Sequence, residues 1–169
     1  MTSIARYAAD APDAAAHREA LARLLVDSVA GGASVGFLDP LTEQASRDWW
    51  ADVLAGGVTL LALEGGRVVG CVRLEPAHLP NSAHRAEVSK LLVHREARGR
   101  GVATALLAAV EDEARRLGRT LLVLDTQTGS HAEHLYRRRG WTDVGTIPDY
   151  AGAPDGTLVA TTIFCKQLA

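Results

Sequence analysis

The chain has 169 residues, of which 47% are hydrophobic and 22% are charged, and it carries a formal net charge of −2. This length suits a single domain that buries its own core, and the composition is typical of a folded protein. The small net charge favours neither nucleic acid nor an anionic membrane as a partner, and no apolar segment approaches the roughly 18 residues of a membrane span. We therefore expect one cytoplasmic domain over residues 1–169, with no signal peptide and no metal site.

The N-terminal third of the chain is alanine-rich and shows helical periodicity between glycine pairs. Apolar residues recur at helical spacing through Leu21, Leu24 and Leu25, and Gly31-Gly32 would end that helix. Because proline suits the first position of a helix, we expect a second helix to start at Asp39-Pro40. The predicted elements are a strand over 3–7, a helix from Pro12 or Asp13 to about Ala30, an irregular loop over 33–41 and a helix that ends near Leu54.

The remaining sequence predicts mainly strands, with two further helices between them. Two apolar segments flank Glu64-Gly65-Gly66-Arg67, and a glycine pair in this position is typical of a hairpin turn. The predicted strands cover 58–63, 68–75, 86–93, 120–125, 141–147 and 159–164, and the predicted helices cover 102–117 and 130–139. This order predicts an α/β fold, with a mixed, mostly antiparallel sheet of about seven strands and helices on both faces.

A glycine-rich turn, Arg98-Gly99-Arg100-Gly101-Val102-Ala103, joins the strand over 86–93 to the following helix. Free backbone N–H groups at a helix start, together with the helix dipole, favour the binding of a pyrophosphate. The turn lacks the Gly-Lys-(Ser/Thr) end of a P-loop and the third glycine of a dinucleotide-binding fingerprint, which argues against both. Two interpretations stay open: a site for another phosphate-bearing cofactor, or a plain connection whose surface carries Arg95, Arg98 and Arg100.

Two motifs, in this order along the chain, carry a resemblance to a known family. Arg98, Gly101 and Ala103 fill the pattern (Gln/Arg)-x-x-Gly-x-(Gly/Ala), which resembles the acetyl-CoA signature of the GNAT superfamily of N-acetyltransferases. The segment 132–141, with Tyr136 near its centre, is similar to a second element of that superfamily. Within it, the chain most resembles the tabtoxin-resistance type, on the segments 33–41, 124–130, 145–151 and 154–158.

The resemblance implies a GNAT-like fold and a set of residues that bind acetyl-CoA. Backbone N–H groups of the turn would hold the pyrophosphate, and the end of the preceding strand would offer its backbone to the pantetheine amides. Gly129 stands where many relatives carry an asparagine that contacts the pantetheine, and Ser130 is the candidate to replace it. The implied set is Leu91, Leu92, Val93, Arg98, Gly99, Arg100, Gly101, Val102, Ala103, Thr104 and Ser130.

Glu87 is the implied general base, because the superfamily often places a glutamate on the strand that presents the cofactor. Strict alternation along that strand predicts one shared face for Glu87, Ser89, Leu91 and Val93. A carboxylate among apolar side chains can take a proton from an amine, directly or through water. The alternative is an exposed glutamate at the end of a strand.

The resemblance implies two further catalytic residues. Asp125 ends a buried strand and would help Glu87 to attract a cationic amine, and which of the two is the principal base stays open. Tyr136 would return a proton to the leaving thiolate. The alternatives are an aspartate that caps a turn and a tyrosine that only packs in the core.

The resemblance places the acceptor between the first two helices and the loop that joins the last two strands. The candidates there are Phe37, Trp49, Asp149 and Tyr150, with core packing as the alternative for the tryptophan. The implied activity is direct transfer of an acetyl group from acetyl-CoA to a primary amine of a small polar molecule, such as a toxin or an antibiotic. Acetylation of a protein lysine or N-terminus, and a non-catalytic acyl-CoA sensor, are the alternatives. A homodimer is compatible with the sequence.

Overall fold

The computed structural model describes residues 1–169 as four α-helices and seven β-strands. None of the helices combines the length and the apolar composition that crossing a bilayer requires. The elements are β1 Ser3–Arg6, α1 Ala14–Ala30, α2 Glu43–Val53, β2 Val58–Glu64, β3 Arg67–Pro76, β4 Arg85–Val93, α3 Val102–Arg116, β5 Leu121–Gln127, α4 His131–Arg138, β6 Thr142–Gly152 and β7 Leu158–Gln167.

The strands form one sheet in the order β1-β2-β3-β4-β5-β7-β6. Neighbouring strands are antiparallel except β4 and β5, which are parallel because α3 carries the chain back across the sheet between them. The predicted α/β class and the predicted mixed sheet of about seven strands with helices on both faces are therefore confirmed.

Two hydrophobic cores cover opposite sides of the sheet. We call the side covered by α1 and α2 the α1 face, where Leu21, Leu25 and Trp50 are fully buried. The opposite side, the α3 face, is packed by α3 and α4 through residues such as Leu106 and Val110. Each helix pair therefore covers one face of the central strands.

Gly70 in β3 shows how closely α3 approaches the sheet. A Cβ at this position would stand 2.8 Å from the carbonyl oxygen of Leu92 and 3.2 Å from side-chain atoms of Leu106 and Val102. Contacts of that length exclude a side chain at position 70 unless its neighbours move. Glycine at this position therefore allows the first turn of α3 to lie directly against β3 and β4.

The predicted start of the second helix at Asp39-Pro40 is wrong. Helix α2 begins at Glu43, because the side chain of Thr42 accepts a hydrogen bond from the N–H of Ala45 and caps the helix there. The Asp39–Pro40 peptide is cis and belongs to the preceding loop. A threonine cap with a glutamate next to it is thus the stronger start signal in this segment.

Strand β6 is longer than the segment 141–147 predicted for it, because it continues through Pro148 to Gly152. It lies at the outer edge of the sheet, where a residue without a backbone N–H is tolerated. Its pairing with β7 has two register irregularities, one between Asp143 and Gly145 and one between Ile147 and Ala151. Nine of its eleven residues are exposed.

Candidate active site

The centre of the sheet opens where β4 and β5 separate. These strands pair only from Arg85 with Leu121 to Glu87 with Val123. Beyond that point β4 continues to Val93 and β5 to Gln127 with no ladder between them. The result is a cleft between the two strands, and backbone groups on the facing edge of each strand are left without a strand partner.

Lys90 interrupts the regular alternation of β4. Its φ is +51°, in the left-handed region, and the pairing of β4 with β3 shifts register between Cys71 and Arg73. A bulge of this kind inserts one extra residue into a strand and changes the direction of the side chains after it. The backbone oxygen of Lys90 accepts a hydrogen bond from the thiol of Cys71 at 3.5 Å.

The bulge corrects the face assigned to the end of β4. Leu92 packs into the core of the α1 face, whereas Leu91 and Val93 pack against the core of the α3 face. The expectation that these two residues share a face with Glu87 and Ser89 is therefore wrong. A period of two in the sequence cannot show where a strand gains a residue.

Glu87 lies on the α1 face, directly opposite Glu75 of β3. The buried guanidinium of Arg73 binds Glu75, donates to the hydroxyl of Thr59 at 2.8 Å and donates to the carbonyl of Gly56 at 3.1 Å. Glu87 itself is exposed. The expectation of apolar surroundings for Glu87 is therefore wrong, because the charged side chains of Arg73 and Glu75 lie next to it.

Asp125 lies on the same face, two positions beyond Val123, which pairs with Glu87. The buried neighbours Leu122 and Leu124 point to the α3 face, so alternation directs Asp125 to the other side. Asp125 is exposed at the point where β5 no longer pairs with β4. The two carboxylates thus stand on one face, one on each side of the cleft.

Tyr136 projects from α4 into the core of the α3 face, where it is 6% exposed. Its ring lies 5.7 Å from the Trp141 ring and 5.9 Å from the Phe164 ring. Burial raises the pKa of the phenol, and the negative charge of Asp125 raises it further. The phenol therefore keeps its proton at neutral pH.

Glu133 holds α4 in place. Its carboxylate accepts hydrogen bonds from the N–H of Gly129 at 2.6 Å and from the hydroxyl of Thr162 at 2.9 Å, and it pairs with Arg137 at 2.9 Å. These donors, the Gly129 N–H above all, lower the pKa of Glu133. In return the Ser130 hydroxyl accepts from the Glu133 N–H at 3.1 Å and caps the start of α4, while the Glu133 carboxylate binds the N–H one residue before this cap.

The turn between β4 and α3 leaves a row of backbone donors free. Gly99 has a φ of +74° and Gly101 a φ of +81°, and no atom lies within 4 Å of a Cβ built on either. No side chain caps α3, and after Arg98 the next N–H with a partner in the chain is that of Ala105, which donates to the carbonyl of Gly101. The N–H groups of residues 99–104 therefore have no hydrogen-bond partner within the chain.

The three arginines of this turn have different partners. Arg95 pairs with Asp27 at the end of α1, and Arg100 pairs with Glu64 at the end of β2. Arg98 donates from Nε to the carbonyl of Val93 at 3.1 Å and forms no ion pair. Arg95 and Arg100 therefore fasten the turn to its neighbours, and Arg98 keeps an uncompensated charge beside the free N–H groups.

Two candidate acceptor residues come together on the α1 face. The ring of Phe37 meets that of Trp49 edge-on at 5.4 Å, and the Nζ of Lys90 lies 5.1 Å from the centroid of the Trp49 ring. Asp149 and Tyr150 instead lie on the exposed edge strand β6. Lys90 is not among the residues predicted from the sequence, because the bulge that turns its side chain to the α1 face is not visible in the sequence.

The loop between α1 and α2 is tied to the end of β6 and to the loop that follows it. The N–H of Asp39 donates to the carbonyl of Pro154 at 2.8 Å, and the hydroxyl of Ser34 donates to that of Gly152 at 3.4 Å. The side chain of Leu38 lies 3.4 Å from a Cβ built on Gly152. These contacts join the loop before α2 to the end of β6 and the loop after it.

The model of the acetyltransferase (GNAT) family matches residues 19–141. The chain belongs to this family. The predicted GNAT resemblance is therefore confirmed, and acetyl-CoA is the cofactor that the family uses.

The chain is similar to two curated acetyltransferases. It is 33% identical to IAA acetyltransferase of Azospirillum brasilense over 56% of this chain and 61% of that protein. It is 36% identical to aminoalkylphosphonate N-acetyltransferase of Salmonella typhimurium over 60% of this chain and 68% of that one. The match therefore spans less than two thirds of the first of these relatives.

The structure of yncA from Salmonella typhimurium with its cofactor acetyl-CoA superposes with a TM-score of 0.79. The superposition covers 99% of this chain and 94% of that one, at 22% sequence identity. At this identity the likeness concerns the fold alone.

The GNAT cleft fits acetyl-CoA on the evidence of its own residues. The free N–H groups of residues 99–104 match the oxygens of a pyrophosphate, and the unpaired edge of β4 matches an extended chain that carries amides. The hydroxyl of Ser130 already caps α4 and lies 3.5 Å from the hydroxyl of Thr126. To contact the pantetheine as predicted, this hydroxyl would have to make a further hydrogen bond while it keeps the cap.

Proposed function

We propose that this GNAT chain transfers the acetyl group of acetyl-CoA directly to the primary amine of a small polar molecule. The observation that carries the proposal is the cleft between β4 and β5, which has Glu87 and Asp125 on its α1 face and Tyr136 on its α3 face. A reaction that takes a proton from an amine and returns one to a thiolate needs groups on both sides of the reacting carbon.

The donor side of the cleft would act through the backbone. When bound, acetyl-CoA supplies an activated acetyl group as a thioester. The N–H groups of residues 99–104 and the guanidinium of Arg98 would hold its phosphates. A fixed N–H on the open edge of β4, within Leu91 to Val93, would polarise the thioester carbonyl, an effect worth roughly 3–4 kcal/mol in oxyanion holes.

Proton removal from the amine would fall to Glu87, with Asp125 as its partner. Both carboxylates are exposed at the cleft and attract an ammonium group. Glu87 stands on β4, the strand that also presents the donor, so that a base and an acyl group would meet at one strand. Asp125 stands on the opposite strand and would hold the amine from the other side.

Tyr136 would donate the proton that the leaving thiolate needs. Its raised pKa keeps the phenol protonated at neutral pH, so that a proton is present for transfer. Cys71 is not a competing nucleophile, because burial raises the pKa of its thiol to about 12. The thiol also donates a hydrogen bond to the backbone oxygen of Lys90. This supports direct transfer without an acyl-enzyme.

The contact between the loop before α2 and the loop after β6 would restrict access to the acceptor side and so favour a small acceptor over a protein segment. The segments 33–41 and 154–158, which carry the resemblance to the tabtoxin-resistance type, meet there through Asp39 and Pro154. Two relatives with small-molecule names point in the same direction. More specifically, we propose that the acceptor is a toxin or an antibiotic and that its acetylation confers resistance.

A release assay for free coenzyme A thiol tests the proposal. Acetyl-CoA is offered with amino acids, 2-aminoethylphosphonate, polyamines, aminoglycosides and a lysine-containing peptide, and we expect turnover with at least one small amine. Acetyl-CoA at about 100 times its Kd should also stabilise the fold by about 2.7 kcal/mol. Turnover of the peptide alone would show a protein acetyltransferase, and stabilisation without any turnover would show an acyl-CoA sensor.

A further inference from the structure

We infer that Lys90 is the residue that selects the acceptor, and that it binds the acidic group of an amine which also carries a carboxylate or a phosphonate. This inference rests on the proposed function and names its substrate class. The acceptor would be an amino acid or an aminoalkylphosphonate, with its amine at Glu87 and Asp125 and its acidic group at the ammonium of Lys90.

The bulge of β4 decides where Lys90 points. In an unbroken strand, Lys90 would follow Ala86 and Val88 onto the α3 face, where both are buried in the core. The bulge instead brings its Nζ to the α1 face, 5.1 Å from the centroid of the Trp49 ring and 3.8 Å from a Cβ built on Gly36. A left-handed φ at a lysine costs free energy, which the fold accepts at this position.

The ammonium of Lys90 has no anionic partner within the chain. The ion pairs of the structure use Lys166 and many arginines, but none uses Lys90, although its side chain is only partly exposed. Burial lowers the pKa of Lys90, and the charges of Asp125 and Glu87 oppose that effect. The two carboxylates are thus near enough to influence Lys90 and yet do not pair with it.

A cation and two carboxylates on one face of the same cleft match a molecule that carries both charges. An ammonium would lie against the carboxylates, and an acidic group would neutralise Lys90. The rings of Trp49 and Phe37 beside Lys90 leave an apolar wall for the rest of the molecule. A polyamine or an aminoglycoside would bring a second positive charge towards Lys90, which like-charge repulsion disfavours.

Pairs of acceptors that differ only in the acidic group test this assignment. We propose phenylalanine against phenethylamine, methionine against 3-(methylthio)propylamine, and 2-aminoethylphosphonate against ethylamine, with spermidine and kanamycin as polycations. We expect kcat/KM to be at least tenfold higher for one or more acids than for the matched amine. Equal or better turnover of the matched amines, or a preference for either polycation, would overturn the inference.

Two substitutions separate recognition from structure. Lys90→Met keeps the unbranched stem and the same backbone demand, and it should raise KM for the acids at least tenfold with little change in kcat. Lys90→Arg restores the charge and should recover part of the loss. If Lys90→Met instead lowers kcat for acids and amines alike, Lys90 only shapes the cleft and the inference fails.

Binding measured without turnover keeps the two proposals distinct. Calorimetry of the complex with coenzyme A should show that the acids bind to the wild-type protein and at least tenfold more weakly to Lys90→Met. Acids that bind in this Lys90-dependent way without being acetylated would support the acidic-group site and contradict the transferase proposal. Acetylation of amines with no dependence on Lys90 would support the transferase proposal and contradict the acidic-group site. Neither acetylation nor Lys90-dependent binding would overturn both proposals.

Discussion

The proposed donor side and the proposed acceptor side of the cleft are built in different ways. The donor side comes from one continuous segment, the end of β4 and the turn into α3, and it acts mainly through backbone N–H groups held open by two glycines. The acceptor side comes from side chains of β4, β5, α2 and the loop before α2. A site made of backbone keeps its ligand when most nearby side chains change, whereas a site made of side chains can change its ligand with one substitution.

The largest effect is expected where the two sides meet, at the base. Glu87→Gln keeps the shape of the side chain and removes its basicity, so kcat should fall by about a thousandfold while acetyl-CoA affinity stays the same. Asp125→Asn is the matched variant, and the larger loss identifies the principal base. Steady-state kinetics and calorimetry measure the two quantities. Unchanged turnover of Glu87→Gln between pH 6 and pH 9 would place the base elsewhere.

The second-largest effect is expected at Tyr136, the proposed donor of a proton to the leaving thiolate. Tyr136→Phe keeps the ring packed between Trp141 and Phe164 and removes only the hydroxyl, so kcat should fall by about a hundredfold. The melting temperature should change little, because the variant keeps the packing of the ring. Full activity in this variant would make Tyr136 a core residue and nothing more.

A smaller effect tests whether the donor side depends on backbone geometry. Gly101→Ala places a Cβ on a left-handed residue, which costs roughly 1–2 kcal/mol, and it should raise the Kd of acetyl-CoA about tenfold. Gly118→Ala is the matched control, because Gly118 is also left-handed, has open space around it and ends α3 away from the turn. Calorimetric titration should show weaker binding only for Gly101→Ala. Equal loss in both variants would refute a phosphate site at the turn.

The smallest effect concerns the support of α4. Because the pKa of Glu133 is lowered in the folded state, its stabilisation is present above the ordinary carboxyl pKa near 4.5 and is lost as the pH falls through the folded-state value. Glu133→Gln should lose about 2 kcal/mol of unfolding free energy at pH 7. Urea unfolding should show this difference shrinking below pH 4.5. A difference that does not change with pH would mean that packing, not charge, holds Glu133.

Sequence patterns predicted the strand, turn and helix of the proposed donor side well because their signals are local. The glycines of the turn, the apolar strand before it and the amphipathic helix after it are all contiguous, and the structure puts each where the pattern predicts. The alternation Leu122, Leu124 likewise places Asp125 on the open face. Periodicity and turn chemistry are properties of neighbouring residues, so the sequence displays them directly.

The acceptor side was harder to predict because it depends on contacts between distant segments. The sequence around Lys90 does not predict a bulge, since Val88-Ser89-Lys90-Leu91 is compatible with an ordinary strand. Arg73 beside Glu87 and the bond from Asp39 to Pro154 likewise join residues far apart in the chain. Pairing register and loop contacts are set by the packing of the whole sheet, and a single sequence does not reveal them.

The irregular pairing of β6 also bears on how this molecule meets its neighbours in solution. A long edge strand with exposed side chains such as Val144, Ile147 and Tyr150 is the kind of surface on which another chain can add a strand. Pro148 lacks an N–H, Asp149 has a left-handed φ, and the two register irregularities break the edge into short pieces. The apolar surface of β6 is therefore protected against edge-to-edge aggregation by the same residues that make the strand hard to recognise in the sequence.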